Sequence, residues 1–202
     1  MSDFWEACAI VISFTGLLVR CLTAGYAPRG TSGRNTKWQA AETLNTTGMY
    51  SITRNPLYLG NFIIVLGIVL FIQVWWIALL ILIGFFVYYE RIIFAEEEFL
   101  RNKFGVQFTE WADKTPAIIP NFKPWKRSAL PFSFKTVFRR EFSTLFSIVA
   151  AFFFLEVATN FIIQRNFSVR SSWIIFFIAG LIIYFIGFIL KKKTRLLNVD
   201  GR

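Results

Sequence analysis

Histidine is absent from the sequence, so no imidazole is available to relay protons or to ligate a metal near neutral pH. Cysteine is scarce. Cys8 and Cys21 lie in one apolar run, 13 positions apart, too far to meet within a helix, and no disulfide framework can be built from them. With neither imidazole nor a thiolate cluster, no zinc site is expected. Acidic residues are also few, 12 against 22 basic ones, for a net charge of +10.

What the chain has in excess is apolar length. Hydrophobic residues fill 55% of its 202 positions, above the range of a soluble globular domain. An integral membrane protein is therefore expected, with the lipid bilayer as its first partner. A spanning helix needs about 20 mostly apolar residues. Five stretches meet or approach that length: Phe4 to Ala24, Leu57 to Ile72, Val74 to Ala95, Phe142 to Ile163 and Trp173 to Leu190. The expected fold is all-α, a bundle of about five transmembrane helices forming a single domain over residues 1–202. Only the region of Gln73 separates the second and third stretches. They should form a tight hairpin, with Trp75 and Trp76 at the far interface, and the second is short for a full span. Asp3 and Glu6 at the start do not resemble the basic leader of a cleavable signal, so the first helix is expected to be retained.

The distribution of positive charge argues against nucleic acid as a partner. Arg29, Arg34, Lys37 and Arg54 precede the hairpin, a second group from Arg101 to Arg140 follows it, and Lys191, Lys192, Lys193, Arg195 and Arg202 close the chain. With five spans these groups share one face. The excess of Lys and Arg then orients the N-terminus outward and the C-terminus toward the cytoplasm, and also attracts anionic headgroups.

Between the first two spans lies a polar cytoplasmic loop, with a short helix expected at Lys37 to Leu44. After the third, "YYERIIFAEEEFLRNKFG" alternates apolar and charged positions as an amphipathic helix would on leaving the bilayer, with Gly105 as its C-terminal cap. "TPAIIPNFKPWKRSALP" carries four prolines and should be extended and irregular.

Two polar clusters flank the hairpin: "GMYSITRNPLYLG" at its entry and Glu96, Glu97 and Glu98 at its exit. An antiparallel hairpin returns them to the same depth. Taken singly, Arg54 reads as an interfacial anchor, Pro56 as a first-turn proline and the acids as solvated. Taken together they make a candidate site.

Here the sequence resembles a family, the isoprenylcysteine carboxyl methyltransferase and phospholipid methyltransferase superfamily of membrane enzymes. Its first motif matches Gly48, Tyr50, Arg54, Pro56, Tyr58 and Gly60, with Asn55 where the family has histidine. The second matches Glu96, Glu97, Leu100, Phe104, Gly105, Pro116 and Pro120, with Phe108 and Trp111 at positions usually held by tyrosine. The resemblance covers about residues 45–120. It divides the chain into a first helix and loop (1–44), a methyltransferase-like core (45–120), and a linker with two final helices (121–202). It implies S-adenosylmethionine (SAM) as cofactor, held in a cytoplasmic pocket by Tyr50, Arg54, Asn55, Pro56, Tyr58, Gly60, Glu96 and Glu97, with Arg54 and Glu97 as the catalytic pair and a lipid entering from the bilayer. SAM carries a carboxylate that a guanidinium can clamp and an ammonium and ribose that carboxylates can hold. Gly60 would allow close approach of a helix or of the cofactor. Asn55 keeps hydrogen bonding and loses the titratable group.

A phosphate or carboxylate is already anionic and needs no general base to accept a methyl group, whereas an amine must lose a proton. The lack of histidine thus leans toward O-methylation, although Glu90, Glu97 or Glu156 could act as a base. Arg29, Arg34 and Lys37 could bind an anionic headgroup, and Glu156, four positions from Asn160 in an apolar helix, could line the lipid path or bridge helices. The stretch from Thr31 to Asn61 also resembles a bacterial inner-membrane branch linked to methylation of the lipid A 1-phosphate. Methylation of an isoprenylcysteine carboxylate or a phospholipid amine, an NADPH-dependent sterol-type reductase, and a noncatalytic lipid-binding protein are the alternatives. Oligomeric state is not legible.

Overall fold

The structure, a computed structural model, describes residues 3–28, 30, 42–165, 169–199 and 201. Among the described residues there are six α-helices and no strand: α1 (Asp3–Tyr26), α2 (Pro56–Ile72), α3 (Trp75–Phe104), α4 (Val106–Lys114), α5 (Phe134–Gln164) and α6 (Ser171–Lys193), with a 3₁₀ turn at Gly48–Ser51 before α2. The all-α membrane bundle is as expected. Four helices, α1, α3, α5 and α6, are long and apolar enough to cross a bilayer, while α2 has 17 residues. That is about 25 Å of helix against a hydrocarbon core of about 30 Å, so α2 is the short member that its sequence indicates.

Packing is tightest between α1 and α2, and small residues permit it. A Cβ on Gly16 would lie 2.6 Å from the Gly60 carbonyl oxygen, and one on Gly67 would lie 2.5 Å from that of Ala9. Ser13 Oγ donates to the Ile64 carbonyl across the same seam at 2.9 Å. Close backbone approach of this kind is what small residues contribute between helices in lipid, where no hydrophobic force joins them. Behind the pair, Ala9, Leu17, Ile64, Phe71, Ile148, Phe152 and Trp173 form the core, which ties α1 and α2 to α5 and α6.

α2 starts at Pro56, whose missing N–H falls where the first turn has no acceptor, and stops at Gln73 in the left-handed region (φ 57°). Two residues later α3 begins, so the hairpin is as tight as expected. α3 runs unbroken past the apolar stretch to Phe104, where Gly105 (φ 53°) caps it by donating to the Arg101 carbonyl at 2.9 Å and redirects the chain into α4. α5 starts at Phe134, well before the apolar run that begins at Phe142. Ser133 caps it by accepting from the Thr136 amide, and Glu141 in its second turn is turned inward. The expected helix at Lys37 to Leu44 lies mostly outside the described residues, and Glu42 to Leu44 are not helical.

Candidate functional site

α1 ends, α2 begins and α3 leaves the apolar region at the same end of the bundle. The residues just before α2 are held there by the segment that follows α4. Arg54 N–H donates to the Pro116 carbonyl at 2.9 Å, Asn121 N–H to that of Ile52 at 2.9 Å, and Gly48 N–H to that of Lys126 at 2.9 Å. Thr53 Oγ1 reaches the carbonyls of Ala117 and Ile118 at 3.2 and 3.1 Å. Prolines at 116, 120, 124 and 131 keep this strap irregular, so its carbonyls are free to accept from the other segment.

Arg54 and Glu97 meet as a two-pronged pair, Nε to Oε1 at 2.9 Å and Nη2 to Oε2 at 3.0 Å. Arg54 Nη1 spends both its hydrogens on the carbonyls of Ala112 and Thr115, each at 2.8 Å. Of the five guanidinium N–H groups, one on Nη2 has no acceptor among the described residues. Asn55 Nδ2 donates to Glu97 Oε1 and to the Ala117 carbonyl, both at 3.1 Å. The residue in the histidine position is thus a structural donor that joins the glutamate to the strap.

Tyr58 Oη donates to Glu96 Oε1 at 2.8 Å, and Glu98 is exposed. Pro56 is fully buried, and a Cβ on Gly60 would meet the Arg20 stem at 2.5 Å and the Gly16 carbonyl at 2.9 Å. Of the two roles open to Gly60, close helix approach is the one its surroundings support: it faces α1 and not a cofactor space. Phe108 is fully buried with its ring 5.7 Å from Trp111, and Trp111 Nε1 donates to the Tyr50 carbonyl at 3.1 Å. These two aromatics pack α4 onto the turn before α2.

Beside the pair opens a cleft of about 520 Å³, lined by Arg54, Asp113, Lys114, Pro116, Ile119 and Asn121 among others. Asp113 and Lys114 escaped sequence reasoning because nothing in a short amphipathic helix marks which of its charges faces a cleft.

Glu156 is not at this end. Its Oε1 lies 3.4 Å from Arg170 Nε and accepts from Asn160 Nδ2 at 3.2 Å, while Arg170 also holds Asp3 at 2.9 Å and bonds Glu6. Of the two roles open to Glu156, lining the lipid path or bridging helices, these contacts fit the bridge, between α1, α5 and the start of α6 at the opposite end of the bundle. Arg29, Arg34 and Lys37, the other candidate substrate residues, lie outside the described residues.

A buried polar chain was missed as well. Arg20 in α1 binds Glu141 in α5 through Nε and Nη2, at 2.8 and 2.9 Å. Its Nη1 donates to Asn61 Oδ1 at 2.6 Å, and Asn61 Nδ2 donates to Tyr89 Oη at 3.0 Å. The signal was present: an arginine inside an apolar span is expensive and needs an acidic partner.

Compared with known proteins, residues 8–107, just under half of the chain, match the family model "Phospholipid methyltransferase". A cobalt-zinc-cadmium resistance protein of Cupriavidus metallidurans is 32% identical over 84 residues, 42% of this chain and 38% of that protein. A nickel-cobalt-cadmium resistance protein of Alcaligenes xylosoxydans xylosoxydans is 28% identical over 119 residues, 58% of this chain and 53% of that protein. The chain thus spans about two fifths and about half of the length of these relatives. No solved structure matches.

Proposed function

Residues 8–107 place the chain in the phospholipid methyltransferase family, and from that premise we propose that it is a SAM-dependent methyltransferase that O-methylates an anionic membrane lipid. The observation that carries the proposal is the charged cleft beside the Arg54–Glu97 pair, at the end of the bundle where α2 and α3 meet the membrane surface.

The cleft suits the cofactor chemically. About 520 Å³ is lined by charges of both signs, Arg54 and Lys114 against Asp113, and SAM bears a carboxylate and an ammonium. The unspent N–H of Arg54 and the Lys114 ammonium would take the carboxylate, with Asp113, its neighbour on α4, for the ammonium beside it and Tyr50, outside this lining, for the adenine. Glu97 would act mainly by orienting Arg54 and, through Asn55, the strap. When bound, SAM supplies an electrophilic methyl group on its sulfonium. The chain's own contribution is to hold donor and acceptor in line and away from water, which needs neither imidazole nor metal.

The acceptor is proposed to be a phosphate oxygen, since it arrives already ionised; the lipid A 1-phosphate is the specific candidate, with the loop cations Arg29, Arg34 and Lys37 to meet it. The proposal sets the cleft and C-terminus on the cytoplasmic side and the N-terminus outside, supported by the distribution of Lys and Arg, and takes the bacterial inner membrane from the lipid A candidate. Methylating a phosphate removes a negative charge from a surface that concentrates cations. That offers a physical route to metal resistance, the role named for the two relatives.

The test is calorimetric titration of SAM, with NADPH as comparator, into the detergent-purified chain and its Asp113→Asn and Lys114→Gln variants. Selective SAM binding that weakens in both variants supports the proposal and leads to a labelled-methyl screen of lipid extracts. NADPH binding in place of SAM, or no binding by folded protein, overturns it.

A further inference from the structure

The buried chain of hydrogen bonds from α5 to α3 has a direction, and the direction leaves one proton undirected. A guanidinium can only donate. The atom of Asn61 that faces Arg20 Nη1 at 2.6 Å is therefore its oxygen, which turns the amide nitrogen toward α3. That nitrogen donates to Tyr89 Oη at 3.0 Å, so the tyrosine oxygen accepts and its own hydrogen points elsewhere. Among the described residues no acceptor takes it.

The position of this hydroxyl matters. Tyr89 is half-buried, its ring stacked on Phe85 at 4.1 Å and tilted against Tyr58 at 5.1 Å, whose hydroxyl holds Glu96. Tyr89 and Glu96 are seven positions apart on one face of α3, about 10 Å along the axis, with Tyr89 the deeper. α3 packs against α2 and α4, and its neighbouring Phe86 and Tyr88 are 60% and 63% exposed. The α2–α3 seam is thus approachable sideways from the bilayer.

We propose that Tyr89, oriented by the Glu141–Arg20–Asn61 relay, donates a hydrogen bond to an acceptor oxygen of a lipid headgroup entering along the α2–α3 seam. The proposal deepens the methyltransferase function and rests on it for the identity of that lipid as the methyl acceptor. Arg20, Asn61 and Glu141 are positioning residues: they fix which way Tyr89 donates. A hydroxyl with a free choice of partner could turn inward, and the relay removes that choice.

Two substitutions separate the relay from simple packing. Tyr89→Phe keeps the ring contacts and removes the donor. Asn61→Asp keeps the shape and reverses the polarity, because a carboxylate accepts on both sides and draws the Tyr89 proton inward. Dioctanoyl phosphatidic acid is titrated into the detergent-purified full chain and both variants, with inorganic phosphate as the soluble comparator, and SAM affinity and thermal unfolding are measured alongside. The expected result is lipid binding weakened about tenfold by either substitution, the scale of one hydrogen bond to a charged group, with SAM affinity held. Equal lipid affinity in all three proteins, weakening in Tyr89→Phe alone, or no lipid binding by the wild type overturns the proposal. So does inorganic phosphate that binds as tightly as the lipid. The lipid titration contains no SAM, so failure of the wild type to bind SAM removes the methyltransferase function without touching this result.

Discussion

Arg54 and Glu97, 43 positions apart in sequence, close on each other through two parallel hydrogen bonds of 2.9 and 3.0 Å. The fork geometry that makes arginine suited to a carboxylate is directed here at a carboxylate of the protein itself. The pair joins α2 to α3, and the remaining donors of Arg54 join both to the strap after α4.

Because one network holds both residues, Arg54→Ala and Glu97→Ala should not be additive. Each single substitution is expected to cost about 1–3 kcal/mol of stability, and the double variant less than their sum by about 1–2 kcal/mol. Chemical unfolding of the four proteins in detergent measures this. Additive losses would show that the two side chains act separately.

Arg54→Lys retains the charge and loses the fork. Lysine cannot serve Glu97 and the carbonyls of Ala112 and Thr115 together, so the strap should loosen and SAM affinity fall at least tenfold, with little change in the helical circular dichroism signal. Affinity equal to wild type would mean that the charge alone suffices.

Asn55→Ala removes the two hydrogen bonds from Nδ2 and leaves the Ala117 carbonyl without that donor. A loss of about 1 kcal/mol is expected, read as a lower unfolding temperature, with SAM affinity falling in parallel. Unchanged stability and affinity would mean that the two bonds from Nδ2 do not hold the strap.

Gly16→Ala tests the α1–α2 seam. The added methyl would lie 2.6 and 2.7 Å from the backbone of Gly60 and Ile64, atoms that cannot rotate away, so the helices must separate at a cost of about 1–3 kcal/mol. Thermal unfolding in detergent should fall clearly, and an unchanged transition would mean that the seam is loose.

Glu156→Gln should leave SAM affinity unchanged while lowering the unfolding temperature, since Glu156 bridges to Arg170 at the far end from the cleft. Weakened SAM binding in this variant would mean that the bridge at the far end is felt at the cleft.

Much of this was legible in the sequence. The helices follow from the apolar runs, the hairpin from the brief break at Gln73, and the Gly105 cap from the change in pattern after Phe104. The meeting of Arg54 with Glu97 follows from an antiparallel hairpin returning to its starting depth. What the sequence concealed was pairing. The Ala112 and Thr115 carbonyls that take further donors of Arg54, and Arg170 as the partner of Glu156, were hidden, because both depend on chain geometry outside the long helices that no periodicity encodes. The Arg20–Glu141 pair was readable in principle, but Glu141 precedes the apolar run of its helix, and only the early start of α5 turns it inward.

The strap has a consequence for the order in which the molecule is made. Its carbonyls meet Thr53 and Arg54 from about 60 positions downstream. In a chain growing from its N-terminus, α1, α2 and α3 are all made before residues 112–126 exist to be bound. The floor of the cleft therefore follows its walls in order of synthesis, as a segment that turns back toward residues made about 60 positions earlier.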